Sequence, residues 1–82
     1  MPQITGLKPV DGYRIEIGFN NGNIIILDLK DKVQTTRFRE LMDTDLFQKI
    51  KTDGNRIYWG EMTEISVTEI FELAQREIEG YF

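Results

Sequence analysis

Neither cysteine nor histidine occurs among the 82 residues of the sequence. Without cysteine the chain can form no disulfide and carry out no thiolate chemistry, and without either residue the usual zinc ligand sets are excluded. The side chain that most often performs acid–base catalysis near neutral pH is missing as well. We therefore predict no metal site, no cofactor and no catalytic residue.

Long apolar runs are also missing. No run approaches the roughly 18 residues that indicate a membrane-spanning helix, and Met1-Pro2-Gln3 lacks the basic and apolar regions of a signal peptide. The length suits a single domain, residues 1–82. Because a chain this short buries only about 60 to 65% of its unfolded surface, homodimerisation is one way to bury more. We expect a cytoplasmic, bacterial-type domain without membrane attachment that forms a homo-oligomer.

Basic residues are scarce after residue 60. Residues 61–82 carry six acidic side chains and one basic side chain, a net charge of −5, whereas residues 1–60 carry +1. Such an acidic surface disfavours nucleic-acid phosphates, which are bound by clustered Lys and Arg. The glutamates predict either a solvated helix face or a partner surface, made of Glu69, Glu72 and Glu79, for a small basic protein.

Residues 13–29 predict the hairpin around which the fold is organised. Asn20-Asn21-Gly22 separates two apolar strands, and such residues tolerate the positive φ of a tight turn. A two-residue loop would pair Ile15 with Asp28 and place a carboxylate on the apolar face. A three-residue loop, with its glycine in the left-handed conformation, pairs Ile15 with Leu27. We predict the three-residue loop because it puts the apolar side chains of both strands on one face.

The second strand of this hairpin has isoleucines on both faces. Ile24 and Ile26 point away from the face that carries Leu27. This pattern predicts an interior strand that is partly covered on both sides. The earlier segment Ile4–Val10 contains Pro9, which cannot donate to a strand ladder, so we place it at a sheet edge before a turn at residues 10–12.

Residues 30–39 are polar and lack a sustained period, which predicts a loop with one helical turn near residues 31–34. Asp43 then begins a short helix as its cap, with Asp45 in the first turn. The two aspartates are also spaced like the first ligands of a calcium loop. Gln48 stands where that loop requires glycine, which favours the cap.

A second hairpin is predicted between residues 49–52 and 56–59, with Asp53-Gly54-Asn55 at its turn. Its second strand ends at Trp59. A domain this small needs its largest apolar side chains inside, so we expect Trp59 to be a core residue whose indole N–H finds a carbonyl acceptor. The alternative is an exposed aromatic platform for a ligand.

The last element is predicted to be an amphipathic helix. Ser66-Val67-Thr68-Glu69 matches a capping box, and Gly80 is a natural stop. The apolar positions that recur at helical spacing are Val67, Ile70, Phe71, Ala74 and Ile78. Tyr81 and Phe82 lie either on the core or in a subunit contact. The predicted fold class is α+β: a small, mainly antiparallel sheet built from two hairpins, with the C-terminal helix packed on one face.

Two further function classes stay open. Nucleic-acid binding would use the basic residues Arg37, Arg39, Lys49 and Lys51, although the acidic residues among them favour a mixed, solvated surface. A hydrolase or lyase with paired carboxylates would have only Glu61 and Glu64, in a predicted turn with no recognisable nucleophile. A noncatalytic interaction domain is the reading that the sequence favours.

Several short segments, taken in order, span nearly the whole chain: Phe19-Asn20-Asn21-Gly22, Asp28-Leu29, Phe38-Arg39-Glu40-Leu41, Asp43-Thr44-Asp45-Leu46-Phe47, Ile57-Tyr58-Trp59, Glu64-Ile65-Ser66 and Ile70-Phe71. In this succession the chain resembles the bacterial domain-of-unknown-function family 2442. It departs from many members after the tryptophan, where Gly60-Glu61-Met62-Thr63 replaces a segment with proline and an Asn-Gly turn, and in its longer, more acidic terminal helix.

The resemblance implies a small α+β fold with a mainly antiparallel sheet and no established enzymatic activity. It also implies an antitoxin-like or accessory binding role, as the partner of a neighbouring gene's product. No catalytic or binding residue of the family is carried over to this chain.

Overall fold

The computed structural model describes residues 2–79, and the side chains of residues 2–74. The predicted α+β class is confirmed, since antiparallel strands, two hairpins and a C-terminal helix are all present. The elements in chain order are β1 (Ile4–Val10), β2 (Arg14–Phe19), β3 (Ile24–Asp28), two 3-10 turns (Lys32–Gln34 and Arg39–Met42), α1 (Thr44–Gln48), β4 (Lys51–Thr52), β5 (Arg56–Trp59), β6 (Thr63–Ser66) and α2 (Val67–Glu79).

The strands are divided between two three-stranded antiparallel sheets, where the sequence suggested one. Sheet A has the order β1-β2-β3 and sheet B the order β4-β5-β6. The tip of the second hairpin connects them, because Gly54 O accepts a hydrogen bond from Ile4 N at 2.9 Å. The next carbonyl, Asn55 O, accepts from Val67 N at 3.0 Å. One turn therefore holds both the start of β1 and the start of α2.

The first hairpin has the predicted register. Ile15 pairs with Leu27, and the hydrogen bond from Phe19 N to Asn23 O, 2.9 Å long, closes a three-residue loop. Gly22 has a φ of 86°, which is the left-handed conformation that the loop requires. The choice of a three-residue loop on the basis of the apolar face is thus confirmed.

β3 is an edge strand, so the prediction of an interior strand is wrong. β2 occupies the centre of sheet A. Ile24 and Ile26 are 64% and 58% exposed, whereas Leu27 on the opposite face is fully buried. A strand with apolar residues on both faces is typical of a sheet interior, but here only one of the faces is covered. β1 lies at the other edge, as predicted.

One cluster of buried apolar side chains joins both sheets and α2. Its fully buried members include Ile15, Ile17 and Leu27 of sheet A, Ile57, Trp59 and Ile65 of sheet B, and Ile70 of α2. Aromatic rings cross this cluster: Phe47 meets Tyr13 edge-on at 5.4 Å and stacks with Trp59 at 6.0 Å between centroids. The core thus requires both sheets at once.

Trp59 is a core residue, as predicted. Its exposed fraction is 0%, and its indole Nε1–H donates to Phe47 O at 2.9 Å. The carbonyl belongs to α1, so the hydrogen bond fastens that short helix to sheet B. With no exposed ring face, Trp59 does not form a ligand platform.

Both predicted N-cap residues accept hydrogen bonds from their helices. The Asp43 Oδ1 accepts from Asp45 N at 3.0 Å and from Leu46 N at 3.5 Å, which fixes the start of α1. At the start of α2, Ser66 Oγ accepts from Glu69 N at 3.2 Å. The caps were predictable because they depend on neighbours in the sequence.

The buried face of α2 differs from the predicted stripe. Val67, Ile70 and Leu73 are buried, whereas Phe71 is 39% exposed and stacks on Phe19 at 5.3 Å. Leu73 was not among the predicted positions. The predicted stripe residue Ile78 lies outside the described side chains, and Gly80, Tyr81 and Phe82 lie outside the described residues.

β6 was not predicted. Glu64 was placed in a turn with Glu61, but it lies in this strand and pairs with Tyr58 of β5. Thr63 and Ile65 of the strand are buried while Glu64 and Ser66 are exposed. This alternation was visible in the sequence, but four residues are too short a run to distinguish a strand from a turn.

Candidate interaction surfaces

The predicted acidic surface does not consist of three free carboxylates. The Glu69 carboxylate receives both terminal nitrogens of Arg37, with Nη1 2.5 Å from Oε2 and Nη2 2.7 Å from Oε1. Glu72 is exposed on α2, and the side chain of Glu79 lies outside the described part of the helix. Glu69 is therefore part of an intramolecular ion pair rather than a site offered to a partner.

Arg37, from the predicted nucleic-acid surface, is committed to contacts within the chain. Besides its forked contact with Glu69, its Nη2 donates to Glu64 O at 2.9 Å, and its guanidinium lies over the Phe38 ring at 4.5 Å. Hydrogen bonding to the Glu69 carboxylate raises the pKa of Arg37. The side chain fastens the loop before the second 3-10 turn to β6 and α2.

Arg56 organises the outer face of sheet B. Its Nε donates to Asp53 Oδ2 at 3.1 Å and its Nη1 to the Glu64 carboxylate, and its guanidinium lies 4.4 Å from the Tyr58 ring centroid. The Asn55 backbone N–H, followed by Arg56, lowers the pKa of Asp53. Glu64, one of the two candidate carboxylates of the enzymatic hypothesis, is thus paired with an arginine.

Lys49 and Lys51 line a shallow depression of about 440 Å³. Its other lining residues are Leu46, Ile50, Tyr58 and Gly60. Arg39 is exposed on the second 3-10 turn. The structure therefore brings together two of the four predicted basic residues. In the described part of the chain no group of three or more acidic side chains is placed to hold a metal ion.

A second depression, of about 220 Å³, lies beside the turn between β1 and β2. It includes Tyr13, a non-glycine residue with a φ of 62°. Tyr13 is held there by its hydroxyl, which donates to Met42 O at 2.7 Å, and by its carbonyl, which accepts from Leu29 N at 2.9 Å. These contacts with the chain itself account for the left-handed conformation.

The outer face of sheet A carries a short apolar strip among charged side chains. Ile24 and Ile26 lie side by side along β3, opposite Gly18 and Glu16 of β2, and Gly18 in turn pairs with Gly6 of β1. Because glycine has no side chain, the sheet beside Ile24 is bare. Sequence reasoning missed this surface because it took the isoleucines as covered.

β3 also has a backbone edge to which no strand of residues 2–79 is paired, and α2 packs against this strand. In an antiparallel ladder, alternate residues direct their N–H and C=O groups to the neighbouring strand. The bonds from Leu29 N to Tyr13 O and from Phe19 N to Asn23 O show that the odd-numbered residues of this segment face β2. Ile24 and Ile26 therefore direct their backbone groups away from sheet A. No strand within residues 2–79 pairs with that side of β3.

Among the described residues, no helix combines the length and apolar character needed to cross a bilayer. Comparison of the chain with protein-family models, with curated proteins and with solved structures gave no match. The resemblance to family 2442 stays a prediction.

Proposed function

We propose that the chain is a noncatalytic protein-binding domain of the cytoplasm, and that it contacts its partner through the outer face and open edge of β3. The observation that carries this proposal is the exposure of Ile24 and Ile26, 64% and 58%, on a strand that among the described residues is paired along one edge only. Burial of a fully exposed isoleucine stabilises a complex by about 1.5–3 kcal/mol. An apolar edge of this kind is a template for an added strand.

Charge supplies the steering in this proposal. The net charge of −4 and the exposed carboxylate of Glu72 attract a small basic protein and speed its encounter, while the apolar strip supplies the contact itself. This division agrees with the antitoxin-like or accessory role, beside a neighbouring gene's product, that the family resemblance implies.

The test is affinity capture with this chain as the bait. It is carried out with extract of the native cell and with the purified product of the neighbouring gene. Three proteins are compared: the natural chain, Ile24→Thr/Ile26→Thr, and Glu72→Gln. Threonine keeps the β-branched shape that suits a strand while removing apolar surface. We expect the first variant to lose the partner and the second to retain it with weaker dependence on salt.

A partner that the Ile24→Thr/Ile26→Thr variant captures as strongly as the natural chain does would remove β3 from the interface. Fluorescence of Trp59 verifies that the variants are folded, because the indole is buried in the natural chain.

Nucleic-acid binding is a second candidate, favoured because Lys49, Lys51 and Tyr58 line the same depression. Two cations beside an aromatic ring suit single-stranded nucleic acid, whose bases stack while its phosphates pair with lysine. With Arg37 bound to Glu69, this function would depend on Arg39 and the two lysines. A gel-shift assay at low salt tests it: the natural chain should shift a single-stranded oligonucleotide and Lys49→Gln/Lys51→Gln should not. Absence of a shift by the natural chain rejects it.

A further inference from the structure

We propose that the depression lined by Lys49 and Lys51 binds a small organic phosphate with a flat apolar body, such as an aryl phosphate or a nucleoside monophosphate. The depression lies between the end of α1 and the first two strands of sheet B. It is therefore separate from the β3 surface, and the inference goes beyond the protein-binding function. It shares its two lysines with the nucleic-acid candidate, from which the length of the ligand distinguishes it.

Contacts with the core hold the walls of the depression in place. Leu46 and Ile50 are half-buried and pack against the buried cluster. Lys51 pairs with Tyr58 in the ladder between β4 and β5, and the indole hydrogen bond of Trp59 fastens the end of α1. The volume of about 440 Å³ lies within the roughly 300–1,000 Å³ of small-molecule sites. The site is thus formed before a ligand arrives, which limits the ordering cost of binding.

Two exposed lysines supply the charge for an anion. Among residues 2–74, neither Lys49 nor Lys51 forms an ion pair, whereas Arg37 and Arg56 are both bound to carboxylates. No acidic side chain is among the described residues that line the depression. The site therefore presents two positive charges, which match the charge of roughly −1.5 to −2 that a phosphate monoester carries at pH 7.

The remaining lining suits a flat apolar body. Leu46, Ile50 and the ring of Tyr58 form an apolar surface, and Gly60 has no side chain to fill the opening. The Arg56 guanidinium lies 4.4 Å from the centroid of the Tyr58 ring, which orders the ring. A mainly apolar lining with a few charged groups that orient the ligand is the usual composition of a small-molecule site.

The charge outside the depression favours a small ligand over a nucleic-acid strand. A strand is bound by cations that follow its backbone over several nucleotides. Here Arg37 and Arg56 are held by carboxylates, and the whole chain carries −4. A single phosphate needs only the two lysines, and salt at about 0.15 M screens exposed carboxylates that lie more than about 8 Å away.

Three probes separate the two parts of the ligand. The probe 1-naphthyl phosphate has both the apolar body and the phosphate, 1-naphthol has only the body, and inorganic phosphate has only the charge. Each is titrated into the nitrogen-15-labelled natural chain while NMR follows the backbone amides of residues 46–60. We expect a dissociation constant on the order of 0.1–1 mM for 1-naphthyl phosphate. Each of the other probes should bind at least about tenfold more weakly.

Two double variants test the lysines. Lys49→Gln/Lys51→Gln should weaken the binding of 1-naphthyl phosphate at least about tenfold. Lys30→Gln/Lys32→Gln is the matched control, because it removes two lysine charges with the same spacing at positions that do not line the depression. It should change the dissociation constant less than about twofold. Fluorescence of the buried Trp59 verifies that both variants are folded.

Equal weakening by the two double variants would overturn the inference, because it would show general attraction to positive charge. Binding of 1-naphthol as tight as that of 1-naphthyl phosphate would overturn it too. Binding of 1-naphthyl phosphate without a gel shift of an oligonucleotide supports the inference and rejects the nucleic-acid candidate. A gel shift without binding of 1-naphthyl phosphate does the reverse. Neither result bears on capture of a protein through β3, so the proposed function is judged separately.

Discussion

The two sheets share one core and differ in their outer faces. On sheet B the outer side chains satisfy one another, since Arg56 contacts Asp53, Glu64 and the ring of Tyr58. On sheet A the outer face combines exposed Ile24, Ile26 and glycine backbone with the charged residues Lys8, Arg14, Glu16 and Asp28. The inner faces form the shared core, and the exposed isoleucines of sheet A are the basis of the proposed partner surface.

The effect of a substitution on the free energy of unfolding should differ most between a core position of sheet B and an outer position of sheet A. Trp59→Phe removes a buried indole and leaves Phe47 O without its donor, so we expect a loss of about 2–4 kcal/mol in the free energy of unfolding. Ile26→Thr should change it by less than about 0.5 kcal/mol. Urea unfolding followed by circular dichroism measures both, and similar losses would contradict the contrast.

The next largest loss of stability is expected for substitution of a turn glycine. Gly54 has a φ of 98°, and its carbonyl joins the two sheets, so Gly54→Ala should cost about 1–2 kcal/mol of stability. Gly6 on sheet A is the matched control, because a methyl group there meets nothing within 4 Å and its φ is not positive. Gly6→Ala should therefore leave the unfolding midpoint nearly unchanged or raise it. A larger loss for Gly6→Ala than for Gly54→Ala would be inconsistent with this account.

The ion pair between Arg37 and Glu69 should contribute less. The two side chains are 51% and 28% exposed, so solvent screens the forked contact and we expect a coupling energy of about 0.5–1 kcal/mol. A double-mutant cycle with Arg37→Met and Glu69→Gln measures it, and 1 M NaCl should reduce it. Zero coupling at low salt would mean that the pair does not hold the loop to α2.

The smallest effect concerns pH and the turn of sheet B. The Asn55 N–H and Arg56 lower the pKa of Asp53, so the folded state gains stability above the unfolded pKa of about 3.9 and loses it as the pH falls through the lower folded value. Asp53→Asn should reduce the loss of folding free energy at acid pH. Arg56→Gln should reduce it only in part, because the Asn55 N–H, the larger cause of the lowered Asp53 pKa, remains. Unchanged curves between pH 5 and 2 would contradict the assignment.

Features set by neighbours in the sequence were predictable. The apolar alternation around Asn21-Gly22 selected the correct hairpin register, and the caps at Asp43 and Ser66 form as expected. The burial of Trp59 followed from the scarcity of large apolar residues in a small chain. The register and the caps depend on side chains a few residues apart. The burial of Trp59 depends on the need of a small domain to bury its largest apolar side chains.

Features set by distant contacts were not predictable from one sequence. The run of isoleucines in β3 fits an interior or an edge strand, and only the number of strands that pair with β3 decides between them. The contact between Arg37 and Glu69 spans 32 residues, and no local pattern pairs them. Leu73 replaces Phe71 in the core because the position of α2 on the two sheets decides which helix face is covered.

The tie between the tip of the second hairpin and both β1 and α2 has a consequence for synthesis on the ribosome. The first hairpin emerges early, yet Ile57, Trp59 and Ile65, which share its buried cluster, come from the later half of the chain. Until these residues have been synthesised, the buried face of the first hairpin stays uncovered, in addition to the exposed isoleucines on its other face.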